Sequence, residues 1–463
     1  MNKAEIFEHW NKLLAEAEKF LPNLSHIQNA ASCFNANIDA IIQLSGEALA
    51  EAIRNCPDFD LKESKSNYRK ADTLCEVLSG LLKCFAEGIA EERTTKNGQI
   101  CVSLQKMFPP QKFQMGGQGG IIANLLSLCG IKNVAVHTNS LPKLQAEQFL
   151  NKDNLLAFDE LGNPTPAYRT MRQNDTPLVH LIFEFKKGDS AHIGGKVFTC
   201  PKSNRFIVSC DEKNQNMIVD DAFVKYLNTV HQDYIFLSGF HMLDEKNAGT
   251  VIPKMKNLLL NLKNDAQKNS IFHLEIASTP SDKARKMTLD EIGTIVDSIG
   301  LNEREACDII NVLYPDIDLK PNAVDMFRAI SLIKKYTNIS RIELHMLGLF
   351  MTMQNKNISI SPQKAKDGML LAARIGSSRA VLGDLKEEKD LLSSQNFEIS
   401  EIGYSELKNL SEYLQSENLL TYGIFCGGDF DLIAVPTMLE KKPKSLVGMG
   451  DTISSISLLG THL

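Results

Sequence analysis

Near the C-terminus, SLVGMGDTISSISLL places Gly448 and Gly450 around a tight turn just ahead of a helix-forming apolar run, with Asp451 beside the second glycine. Glycine has no Cβ, so its backbone N–H can approach a ligand closely, and a helix start presents unpaired donors and a dipole that favours an anion. The turn therefore suits a phosphate, and a carboxylate next to it suits proton abstraction. Asp at the start of a helix is also a common N-cap. Spacing by itself leaves both roles open for Asp451.

The elements that would position this turn follow from hydrophobic periodicity. Ala4 to Phe20 places Ile6, Trp10, Leu13, Leu14 and Ala17 on one helical face, and Ala71 to Ala86 shows a second such face. Short apolar runs alternate with helices: Ile131 to His137, Tyr234 to Leu237, Ile271 to Ile276, Ile342 to Leu347 and Leu432 to Val435. This alternation predicts a mostly parallel α/β sheet. From Leu178 to Val208 the pattern changes, because LVHLIFEF, KVFTC and RFIVSC are β-rich pieces separated by turns. These predict a separate small sheet, either a lid over the carboxyl edge of the main sheet, where ligands bind in such folds, or a plain hairpin. Glu387 to Asp390 reads as a solvated helix face.

Length and composition exclude several classes. A chain of 463 residues has room for two or three domains and a cleft between them. Its 50 basic and 56 acidic residues are mixed along the chain, without the basic stripe of a nucleic-acid binder. Ten cysteines without a CxxC pair or regular spacing predict reduced thiols rather than a zinc site or a disulfide framework. With no apolar leader and no long apolar run, the expectation is a cytoplasmic enzyme without a membrane partner. No GxxxxGK[ST] occurs, and Phe34 to Ile41 offers no glycine for a dinucleotide-binding turn.

Nine pieces stand in a characteristic order: FNANIDAI from Phe34, MGGQGGIIANLL from Met115, HLIFEF from His180, SNRFI from Ser203, FLSGFHML from Phe236, HLEIAST from His273, GLNEREA from Gly300, RIELHML from Arg341, and VGMGD. In these the chain resembles the ADP-dependent glucokinases and phosphofructokinases of the ribokinase-like group. The resemblance implies a large α/β domain with a central, mostly parallel sheet flanked by helices, plus a small β-rich lid domain. It sets residues 1–34, 50–87, 119–160 and 216–463 in the large nucleotide-binding domain, and 35–49, 88–118 and 161–215 in the lid.

The same resemblance implies roles. Asp451 is the base, with the N–H groups of Gly448 and Gly450 and the guanidinium of Arg205 around the phosphates. Asn37, Asp39, Glu92, Gly117, Gln118 and His180 contact the sugar; amides and carboxylates suit its two-directional hydrogen bonding. Arg205, Asn302, His345, Val435 and Gly450 belong to the nucleotide site. Glu275 and Glu305 hold Mg²⁺ or another divalent cation, which takes one or two carboxylates together with phosphate oxygens.

The implied reaction transfers the β-phosphate of ADP to the 6-hydroxyl of glucose, with a 6-phosphofructokinase, a bifunctional enzyme or a silent sugar- or nucleotide-binding regulator as alternatives. Arg169 and Arg172 are candidates to grip a sugar 6-phosphate. Partners are hexose and ADP, with no nucleic acid, in a monomer or small homo-oligomer. The chain departs from the family pattern at Glu343, where a histidine is usual, at Ser445-Leu446, and at Ile89, where a lysine is usual.

Overall fold

A computed structural model describes residues 1–61, 71–279 and 281–462. It contains an 11-stranded sheet, a five-stranded sheet and a two-stranded hairpin. From one edge, the large sheet runs Ile424–Cys426, Phe430–Pro436, Leu349–Asn355, Arg341–Met346, Ser298–Asn302, Ile271–Glu275, Tyr234–Leu237, Asn29–Cys33, Asn133–Val136, Leu155–Phe158 and Pro164–Pro166. The strands from Arg341–Met346 to Leu155–Phe158 are parallel to one another, and those at both edges pair antiparallel. Helices cover the central strands, which explains their continuous apolar runs; Tyr234–Leu237 is buried throughout.

The five-stranded sheet has the order Glu91–Thr94, Asn204–Cys210, Val179–Phe185, Asn37–Gln43, Lys112–Gly116. Its alternating pattern separates two faces. Ile38, Ala40, Leu181, Phe183, Phe206 and Val208 form a second hydrophobic core, while Asn37, Asp39, His180 and Arg205 face the large sheet across a cleft. The expected architecture, a large α/β domain with a small β-rich lid, is the one observed.

Several expectations need correction. Residues 50–87, placed with the large domain, pack on the small sheet: Ala52, Ile53, Val77, Leu81 and Phe85 belong to its core. Residues 62–70 of that span lie outside the described residues. An apolar helical face calls for a partner without naming which sheet supplies it. Pro164–Pro166, placed in the lid, instead extends the large sheet beside Leu155–Phe158. KVFTC joins the separate hairpin of Ser190–Ile193 and Lys196–Thr199.

The first helix ends at Glu16 and continues as a 3₁₀ stretch, Ala17–His26, that contains Pro22. The charged run lies at a 3₁₀ turn, Glu388–Leu392. Not all cysteines are free: Cys56 pairs with Cys75 and Cys101 with Cys210, each with Cα atoms 6.6 Å apart. Separations of 19 and 109 residues show no regular spacing, and only folding of the lid brings the partners together. Among the described residues no helix is long and apolar enough to cross a membrane.

Candidate active site

The cleft between the sheets has a volume of about 280 Å³ and opens at the carboxyl ends of the parallel strands. Glu275 ends one of these strands and Asn302 the next. Ligands bind at this edge in open α/β folds. The helix Met449–Leu458 approaches from below, packed against Pro362–Leu382 and Gln118–Leu128.

Gly448 is the N-cap of the helix Met449–Leu458, with φ 70°, and no side chain caps it. Asp451 is therefore not a cap; it sits inside the first turn, 8% exposed, with its carboxyl directed into the cleft lining. Burial pushes its pKa up to about 6, against a hydrogen bond from Gln118 and the charge of Arg379. The first N–H groups of a helix have no intrahelical acceptor, so the turn offers donors beside this carboxyl. Gly450 keeps the approach narrow, because a Cβ there would lie 2.8 Å from His345 Nε2.

Two further carboxylates stand close by. Glu275 is buried, accepts a hydrogen bond from Ser454 Oγ at 2.5 Å, and has Oε2 3.1 Å from His273 Nε2. Burial and the charge of Asp451 push its pKa well up. Asn302 and Glu305 form a capping box: Glu305 N–H donates to Asn302 Oδ1 at 2.9 Å and Asn302 N–H to Glu305 Oε2 at 2.9 Å. The NxxE spacing thus starts a helix and also points a carboxylate into the cleft. Burial raises Glu305 to about 8, and Asp451 adds to the effect. Buried carboxylates that raise one another's pKa suit a divalent cation. Among the described residues, no three His, Cys, Asp or Glu side chains form a complete metal cluster.

The other wall is the open face of the small sheet. Register sets Asp39 beside His180, His180 beside Ser209, and Glu92 beside Ile207. Asn37 donates through Nδ2 to Asp39 Oδ1 at 2.9 Å, and Ser209 donates to Glu92. His180 Nε2 lies 3.2 Å from Asp211 Oδ2. Burial pushes Asp39 up to about 6, with His180 opposing. Burial disfavours the His180 cation, but Asp211 and then Glu92 and Asp39 outweigh it and leave the pKa raised. Gly116 and Gly117 make room here, since a Cβ on Gly117 would fall 2.6 Å from Asn35 O and 2.7 Å from Asn37 Oδ1.

The cleft brings together every site residue expected from the sequence except Val435, which is wholly buried within its strand. Arg169 and Arg172 are also elsewhere. Arg172 is tied to Asp175, Asp220 and the Thr138 carbonyl, and Arg169 pairs with exposed Asp153. His241 and Asn35 line the cleft unforeseen. Both lie within quoted segments, and their buried Nδ1 and Oδ1 lack partners. Glu343 is fully buried 3.1 Å from Arg341 Nη1, so this departure forms an ion pair beneath the helix of Asp451.

A family model described as the "ADP-specific Phosphofructokinase/Glucokinase conserved region" matches residues 28–460. An ADP-dependent glucose/glucosamine kinase of Pyrococcus abyssi is 28% identical over 96% of this chain and 97% of its own. An ADP-specific phosphofructokinase of Methanosarcina acetivorans is 27% identical over 97% and 96%. Among solved structures, a last common ancestor of ADP-dependent phosphofructokinases from Methanosarcinales superposes with a TM-score of 0.83 at 27% identity, covering 100% of this chain and 99% of that one. An ADP-dependent kinase complex with fructose-6-phosphate and ADPbetaS gives 0.83 at 26% identity with the same coverage. The helix-start turn and the carboxylates that line one cleft, with a match along nearly the whole chain, lead to one conclusion: the protein belongs to the ADP-specific phosphofructokinase/glucokinase family and is an ADP-dependent sugar kinase.

Proposed function

We propose that this enzyme transfers the β-phosphate of ADP to the 6-hydroxyl of glucose, giving glucose 6-phosphate and AMP. The observation that carries the choice of sugar is the charge of the lid wall. Asp39 and Glu92 face the cleft there, and among the described lining residues Arg205 is the one arginine or lysine. Carboxylates accept from sugar hydroxyls but repel a sugar phosphate. Arg169 and Arg172, which would have relieved that repulsion, are engaged outside the cleft.

In this reading Asp451 takes the proton from the attacking hydroxyl, and the N–H groups of Gly448 to Asp451 with Arg205 stabilise the transferring phosphoryl group. Such transfer needs positioning and charge stabilisation rather than a covalent intermediate. Glu275 and Glu305 would hold Mg²⁺, which when bound neutralises phosphate charge. Asn37, Asp39, Glu92, Gln118 and His180 orient the sugar, while Asn302 and His345 serve the nucleotide. Closure of the lid would exclude water as a competing acceptor.

A 6-phosphofructokinase is the second reading, favoured by the complex with fructose-6-phosphate among the similar structures. Rates with glucose and fructose 6-phosphate, each with ADP and ATP, separate the two. Glucose with ADP should be fastest; a faster rate with fructose 6-phosphate refutes the sugar assignment, and activity with ATP alone refutes the donor.

A further inference from the structure

A guanidinium stands directly behind the phosphate turn, outside the cleft lining. Arg379 belongs to the last turn of the helix Pro362–Leu382 and is 5% exposed. Its Nη1 is 3.4 Å from the carbonyl oxygen of Val447 and 4.0 Å from Asp384 Oδ1, and its buried Nε has no hydrogen-bond partner. The chain leading to the turn is docked on the same helix end, where Lys444 N–H donates to Ala380 O at 2.8 Å. Gly448 has φ 70°, and a Cβ there would fall 3.0 Å from Arg379 Nη1 and 2.9 Å from Ile121 Cγ2. The turn is thus pressed onto the guanidinium.

The consequence follows from peptide planarity. In a trans peptide the carbonyl and the following N–H point in opposite directions. With the Val447 carbonyl drawn toward Arg379, the Gly448 N–H is turned away from it, on a segment whose residues line the cleft. Without that contact the Val447–Gly448 peptide is free to flip and set an oxygen lone pair toward a bound anion. The guanidinium also keeps a positive charge near Asp451 in surroundings where solvent screens little.

We propose that Arg379 is a positioning residue for phosphoryl transfer, holding the Val447–Gly448 peptide so that its N–H serves the terminal phosphate of a nucleoside diphosphate. This rests on the phosphoryl-transfer reading above. It predicts a selective defect, because AMP lacks the phosphate in question and the sugar lies on the opposite wall.

The test is calorimetric titration of Arg379→Met and Arg379→Lys with ADP, AMP and glucose, together with kcat. Loss of a charge-assisted hydrogen bond should weaken ADP binding roughly ten- to a hundredfold, while AMP and glucose stay within about twofold of wild type. Arg379→Lys, with the charge but no planar fork, should fall between. Equal weakening for ADP, AMP and glucose would reduce Arg379 to scaffolding, and unchanged ADP binding would remove it from the mechanism. If Arg379→Met does not fold, the same comparison on Arg379→Lys decides. Failure of the functional reading shows separately, as wild-type enzyme that transfers no phosphate from ADP.

Discussion

Replacing Gly450 with alanine separates stability from catalysis at the turn Gly448 to Asp451. An alanine Cβ there would stand 2.8 Å from His345 Nε2 and 3.1 Å from its Cε1, with Glu275 Oε1 at 3.8 Å; ordinary contact begins at 3.4 Å, so the imidazole must withdraw by 0.6 Å. His345 is carried on the strand Arg341–Met346, whose neighbours on both sides pair along it, so the shift is shared with the turn. Stability should change little. Alanine is favoured over glycine in a helix by up to about 1 kcal/mol, and relieving a crowded contact costs on the order of 1 kcal/mol. Activity should suffer more, since a displacement approaching 1 Å of positioning groups costs on the order of a hundredfold. The expected result is kcat/KM for ADP reduced about ten- to a hundredfold with a melting temperature near wild type, measured by a coupled assay and calorimetry. Gly249→Ala is the control: it also lies in a helix, and a Cβ there meets nothing within 4 Å. Wild-type kcat/KM in Gly450→Ala would refute the view that this glycine is required for a close approach at the site.

Asp451→Asn should keep ADP affinity and lose on the order of a hundred- to ten-thousandfold in kcat, read by single-turnover formation of AMP; full turnover would exclude this carboxyl as the base. Arg341→Met should destabilise the protein by about 3–5 kcal/mol, because it takes the guanidinium from the fully buried Glu343 and leaves it only the Ser457 side chain. The double variant Arg341→Met/Glu343→Leu should recover most of that loss in thermal unfolding. Stability should also fall as pH drops from about 6.5 toward 4. His137 is fully buried, accepts the Asp220 N–H at 3.0 Å through Nε2, and has its pKa lowered by burial to about 4. Its folded-state pKa lies below the unfolded one, so the unfolded chain binds the proton first, worth up to about 3 kcal/mol at the acid end. His137→Gln should flatten this part of a melting-temperature profile.

Much of the site was legible in the chain because its groups lie in short segments with a local cause. Gly448, Gly450 and Asp451 form one turn; Asn302 and Glu305 form one capping box; Asn37 and Asp39 share one face of one strand through the two-residue period. Such local patterns set which residues face the same way before any tertiary contact exists, and with the family resemblance they identified the class of reaction. Only the fold decided what depends on packing between distant elements. It turned the helices Gly46–Arg54 and Leu74–Glu87 toward the small sheet, because an apolar helical face fits any apolar sheet. It buried Val435, drew Arg169 and Arg172 to local carboxylates, and paired cysteines far apart in sequence. It also set Arg379, 72 positions before Asp451, behind the turn. Periodicity records which face of an element is apolar, and the identity of the neighbour across that face is written only in three dimensions.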